Sequence, residues 1–202
     1  MTELSADRGR RPGGPPTREA ILAAAIDAFT TRGYAQTTIR GVARTAGVDP
    51  ALVMHFFGNK DGLFQAAIRE GGLPVRRLTE VIGGDLDGLG ERLVTRYLEL
   101  WEDPQVGPRL YAILHAASST PAAAAMLKGF IQDEVLRPLA AHVGGEQAEF
   151  RALLVGSQLI GLAMIRYVLR VEPLCTASVD QVIANVAPTL QRHLTGEPPT
   201  AH

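Results

Sequence analysis

The chain is poor in the features that mark most alternative classes. A single cysteine, Cys175, in 202 residues excludes an intramolecular disulfide and any multi-cysteine zinc site, so a reducing cytoplasm is the simplest setting. Aromatic residues make up 5% of the chain and formal net charge is −1, the composition of an ordinary soluble chain. The N-terminal charges are not followed by an apolar stretch, as a secretory signal would require. The uncharged, strongly apolar run at residues 152–165 is fourteen residues, below the roughly 20 needed to cross a bilayer. It reads as a buried helix, and no membrane partner is expected. No nucleophile elbow, Walker loop, His-Glu-x-x-His or metal-spaced His and carboxylate group is found. Catalytic residues, metal ligands and cofactors are accordingly assigned as none, and the five histidines lie far apart in sequence.

What is present is helical. Mean hydropathy of +0.07 with 46% apolar residues is enough to bury a substantial core, and no segment sustains strand alternation. Residues 1–60 carry a net +3 and residues 61–202 a net −4, the asymmetry of a DNA-binding head on a body that does not bind DNA. Residues 1–16, with Arg8, Arg10 and Arg11 among Gly and Pro, read as a disordered basic arm. Such an arm either enters a narrow minor groove or is a solvated tail.

Residues 38–57 are the most function-specific stretch. Thr38 can cap a short helix burying Val42, Ala43 and Ala46, and Gly47 can end it in the left-handed conformation. Asp49 and Pro50 restart a helix, Asp as cap and Pro at the first helical position. Val48, Val53 and Phe57 should pin this helix to the domain, leaving Ala51, Leu52, Met54 and His55 outward. Before it, residues 17–29 form an amphipathic helix with Leu22, Ala25, Ile26 and Phe29 on one face, ending at Gly33. After it, Asn59 can cap a fourth helix and place Lys60 at its positive end.

The run Ala28-Phe29-x4-Tyr34-x2-Thr37-Thr38-Ile39-Arg40-x-Val42-Ala43-x2-Ala46-Gly47-Val48, followed by His55-Phe56-Phe57-x2-Lys60-x2-Leu63, resembles the DNA-binding domain of the TetR family of bacterial transcription regulators. The resemblance covers about residues 17–77 and departs from the family pattern at Met54 and Phe56. It implies an all-α fold, with an N-terminal three-helix helix-turn-helix domain and a C-terminal helical ligand-binding and dimerisation domain at 78–202. It also implies that Thr38 and Arg40 touch phosphates, that Pro50, Ala51, Leu52 and Met54 face base edges, and that Lys60 grips a phosphate; His55 lies on the same face. Leu52 and Met54 would suit thymine methyl groups, although Ala, Leu and Met on a short helix also suit a core.

Beyond residue 71, breakers bound helices near 86–102, 109–118, 122–143, 147–171 and 179–194, with Pro138 expected to kink the third. Tyr97, Trp101, Tyr111, His115, Met126 and Phe130 could line a pocket for an unidentified small-molecule effector, or could simply fill a core. A stripe of Leu153, Leu154, Ser157, Ile160, Gly161, Met164, Tyr167 and Val168 marks a dimer face, with Gly156, Gly161 and Ala163 allowing close approach. The opposite side, Val155, Leu159, Leu162 and Ile165, is apolar too, and a helix apolar nearly all round has more surface to bury than one monomer offers. The resemblance thus predicts a cytoplasmic homodimeric repressor on a double-stranded DNA operator. A helical enzyme, and an interaction protein that has lost DNA binding, are the competing readings.

Overall fold

The computed structural model describes residues 17–70, 78 and 80–196; the basic arm expected at 1–16 lies outside them. All regular elements among the described residues are helical: α1 Thr17–Gln36, α2 Ile39–Ala46, α3 Pro50–Phe57, α4 Lys60–Glu70, α5 Leu89–Glu102, α6 Gly107–Ser119, α7 Pro121–Ile131, α8 Arg137–Val143, α9 Ala148–Ala163 and α10 Val179–Thr195. Wider π turns follow α7 at Gln132–Leu136 and α9 at Met164–Val168.

In the head, helices α1 to α4 surround a core of Ile21, Ala25, Phe29, Val42, Val53, Leu63, Phe64 and Ile68. Phe29 and Tyr34 both meet Phe64 edge-on, at ring-centroid distances of 4.8 and 4.9 Å. Gly33 breaks the helical path of α1 at φ 76°, ψ 168°, as its sequence position suggested. Just beyond the break, the buried Thr37 hydroxyl lies 3.1 Å from the Ala28 carbonyl and 2.8 Å from that of Gly33. Arg18 grips Glu70 through two contacts of 2.6 and 2.7 Å, joining the start of α1 to the end of α4.

The head does not close on itself. Ala116 of α6 and Ala123 and Phe130 of α7 are buried in the same core, so the body supplies one wall of the DNA-binding domain.

The body's own core joins Leu89, Leu93 and Leu98 of α5 to Leu139 of α8, Val155 and Leu159 of α9, and Leu190 and Leu194 of α10. Helices α5 and α10 approach closely at Gly90. A Cβ built there would stand 2.6 Å from the Gln191 nitrogen and 2.7 Å from the Ala187 carbonyl oxygen. The Gln191 side chain bridges the pair, accepting from Gly90 N–H at 2.8 Å and donating to the Leu86 carbonyl at 2.8 Å.

Pro138 has the anticipated effect in a specific form. Proline has no N–H to donate and its ring crowds the carbonyl four residues back, and the π turn at Gln132–Leu136 lets the helical path continue by opening that turn. Pro188, by contrast, is absorbed within α10 without a break.

The expectation for residues 152–165 needs correction. The helical path there continues over Ala148–Val168, 21 residues that are by length and composition long and apolar enough to cross a membrane. The stretch reaches that length because the π turn carries it through Arg166. One side of it packs in the body, where Ala152, Val155, Leu159 and Leu162 are buried, while Phe150, Leu153 and Ile165 leave the other side exposed, so the helix is not buried all round as expected. The buried Arg166 guanidinium donates to the Leu174 and Ala177 carbonyls, at 2.5 and 2.9 Å, and lies 3.6 Å from Glu102.

Candidate nucleic-acid interface and effector pocket

Local chemistry fixes the turn between α2 and α3. Thr38 takes an extended conformation and its Oγ1 accepts the Gly41 N–H at 3.1 Å. Gly47 adopts φ 69°, ψ 32°, which a side chain would strain. Its N–H reaches the Arg44 carbonyl at 3.3 Å while Val48 N–H reaches that of Ala43 at 3.0 Å, a paired closure that satisfies the last carbonyls of α2. Asp49 Oδ1 then accepts the Ala51 N–H at 2.7 Å, with Pro50 opening α3.

Val53 and Phe57 anchor α3 in the head core. Pro50, Ala51, Met54 and His55 face outward, with Met54 46% exposed. Leu52 differs from the expectation: it is half-buried and packs against the head core. Ala46, expected to be buried, is likewise only half-buried. The outward face gains Phe56, 40% exposed, whose ring meets His55 edge-on at 5.5 Å.

Around α3 stand the candidate anion contacts. Thr38 and Arg40 are exposed as expected, and Thr38 uses only its lone pair in capping, so its hydroxyl proton is free to donate. Arg44, four residues after Arg40 and also exposed, was missed by sequence reasoning, although i, i+4 spacing places both on one face. Lys60 is more constrained than anticipated. Its Nζ donates to the Ala35 carbonyl at 3.2 Å and stands 4.3 Å from the centre of the Tyr34 ring. Burial lowers its pKa, against the opposing pull of Asp61. Of its three donors one is engaged, leaving two. The Tyr34 hydroxyl donates to Asp61; burial first, then that hydrogen bond, pushes its pKa up to about 12.

In the body, α5, α6, α7 and α9 line a partly open cavity of about 130 Å³. Of the six residues expected at a pocket, Tyr97, Trp101 and Phe130 line it, together with Leu110, Leu127 and Ile160. Tyr111, His115 and Met126 do not. Tyr111 is exposed and stacks on exposed His115 with centroids 6.1 Å apart, while Met126 packs toward the head core. Helical spacing shows which residues share a face, and here α6 turns that aromatic face to the surface.

The proposed dimer stripe divides similarly. Leu153, Ser157 and Gly161 are exposed on α9; Phe150 and Leu169, not selected from sequence, and Ile165, expected on the opposite side, extend the same exposed apolar surface. Leu154, Met164 and Val168 are half-buried, and Ile160 belongs to the cavity wall. Tyr167 turns into its own subunit, stacked on Trp101 at 4.9 Å with its hydroxyl 2.8 Å from Glu102. The π turn at Met164–Val168 rotates it out of the α9 register.

Two family models match the chain. "Bacterial regulatory proteins, tetR family" matches residues 21–67, and "Tetracyclin repressor-like, C-terminal domain" matches residues 87–194, more than half the chain. A solved TetR-family regulator from Streptomyces coelicolor A3 is 40% identical; the match covers 93% of this chain and 99% of that one, with a TM-score of 0.66. NalD, the secondary repressor of the MexAB-OprM multidrug efflux pump in Pseudomonas aeruginosa, shares the fold at 21% identity, covering 88% of this chain and 94% of its own, with a TM-score of 0.65. The HTH-type transcriptional regulator BetI of Klebsiella pneumoniae (strain 342) is 26% identical over 123 residues, 52% of this chain and 63% of BetI, so the chain matches under two thirds of that relative's length.

Proposed function

We infer that this chain, which belongs to the TetR family of bacterial transcription regulators, is a repressor that binds an operator as a homodimer and leaves it when a small molecule fills the body cavity. The observation that carries the reading is the presentation of Pro50, Ala51 and Met54 outward on a helix whose other side, Val53 and Phe57, is locked in the head core. A rigidly held apolar tip suits base-edge contacts in a major groove, while Thr38, Arg40, Arg44 and Lys60 around it suit phosphates, which set register.

The exposed apolar side of α9, running from Phe150 through Leu153 to Ile165, is the surface that a second copy would cover. Binding to successive major-groove turns then requires the two-fold-related α3 helices to stand about 34–36 Å apart, one turn of the duplex. Effector control requires only that the occupied cavity favour a body conformation with a different head spacing, since differential affinity alone moves such an equilibrium.

Selection of bound fragments from the source genome, followed by footprinting across a salt series, tests the reading. The expected result is a near-palindromic protected site, with affinity falling steeply as salt rises, and a sedimenting species of two chains at micromolar concentration. Met54→Ala should change base preference at one symmetric pair of operator positions. A protein that retains no fragment, or sediments as a monomer with full affinity, would defeat the proposal.

A further inference from the structure

The uncovered side of α9 is patterned to fit itself. Leu153, Ser157 and Gly161 follow one another at intervals of four and are all exposed, so they form one ridge along the helix. Leu153, a large side chain, stands as far before Ser157 as Gly161, with none, stands after it. A Cβ built at Gly161 would meet no atom within 4 Å, so nothing of this chain fills the space above it. Phe150, 57% exposed, and Ile165 carry the apolar row outward at its two ends.

The ends differ in charge. At the first, Glu146 and Glu149 are exposed, and Glu149 and Leu153 line a groove of about 300 Å³ with Gln132, Asp133, Leu136 and Arg137. Asp133 and Arg137 pair at 3.0 Å, so Glu149 leaves the groove negative. At the second, Leu169, Arg170 and Val171 are exposed where the chain leaves the helix, with Arg170 at φ 53°. Its acidic neighbour Glu172 is engaged, accepting the Thr176 hydroxyl at 2.6 Å.

We propose that two copies pair through antiparallel α9 helices with the two-fold axis beside Ser157, each Leu153 seated over the partner's Gly161 and each Arg170 brought to the partner's Glu146 and Glu149. The proposal rests on the homodimer reading given above and specifies its register. A two-fold contact uses one patch twice, so positions equidistant from the axis face each other: Leu153 meets the partner's Gly161, Phe150 the partner's Met164, and Ser157 its own counterpart. Parallel pairing would instead set Leu153 against Leu153, leave Gly161 facing a gap and bring like charges together. With only Ser157 and Gly161 near the axis, the helices can approach to the lower limit of about 8 Å.

Cross-linking in the full-length protein locates the axis. In a Cys175→Ser background, Ser157→Cys should form a covalent dimer under mild oxidation, because a disulfide needs Cα atoms within about 7 Å of each other. Ser118→Cys, exposed on α6, should run as single chains on the same non-reducing gel. Gly161→Leu should keep the far-ultraviolet helix signal, since its side chain enters space that is empty in one chain, yet raise the dimer dissociation constant about a hundredfold in sedimentation. Arg170→Glu should weaken the dimer about tenfold at low salt, and adding Glu149→Arg should restore it.

A wild-type dimer in which Ser157→Cys fails to cross-link, Gly161→Leu that pairs as tightly as the wild type, or Arg170→Glu without effect at low salt each overturns this register while leaving the homodimer reading intact. A wild-type protein that sediments as a monomer at every concentration overturns both.

Discussion

Single side chains set the geometry of the head at several points, and Asp49 is the clearest. Its carboxylate takes the Ala51 N–H at the start of α3, so Asp49→Ala should lower the stability of the head by about 1 kcal/mol, read as a shift of the thermal midpoint. The Tyr34 hydroxyl is a second such point. It donates to Asp61 and its pKa is raised to about 12, against about 10 in an unfolded chain. Because the folded state favours the protonated phenol, this contribution is complete below pH of about 10 and is lost as pH rises toward about 12. Alkaline unfolding curves should therefore decline through that window in the wild type and be flatter in Tyr34→Phe.

Helix pairs give the next level of constraint. At Gly90 the backbones of α5 and α10 are too close for a methyl group, so Gly90→Ala should destabilise the body by about 1–3 kcal/mol despite alanine's better helix propensity. Denaturant unfolding at constant slope checks this. The elements themselves were largely legible in the sequence. Thr38, Gly47, Asp49 and Pro50 act within one turn of where they stand, and breakers such as Pro104, Gly107 and Pro121 bounded the body helices to within a few residues. Three-dimensional neighbours were less legible. Gly90 looked like any helix glycine, because the need for it comes from Gln191 about a hundred residues later. Tyr111, His115 and Tyr167 were misplaced for the same reason: periodicity groups residues on a face without saying what that face meets, and a π turn shifts the grouping midway.

Across the whole molecule, residues of α6 and α7 belong to both functional regions, Ile113, Leu127 and Ile131 among them. Phe130 is buried in the head core and also lines the body cavity. Phe130→Ala should cost about 3–5 kcal/mol and reduce the effect of any cavity ligand on DNA affinity by more than it reduces ligand affinity, measured by calorimetry in parallel with operator binding. The arrangement also bears on modularity. Because Ala116, Ala123 and Phe130 complete the packing around α1 and α4, residues 17–70 cut free or grafted onto an unrelated sensor would carry a bare greasy seam. Functional chimeras should therefore require splice points after α7, with the reading unit inherited together with part of its receiver.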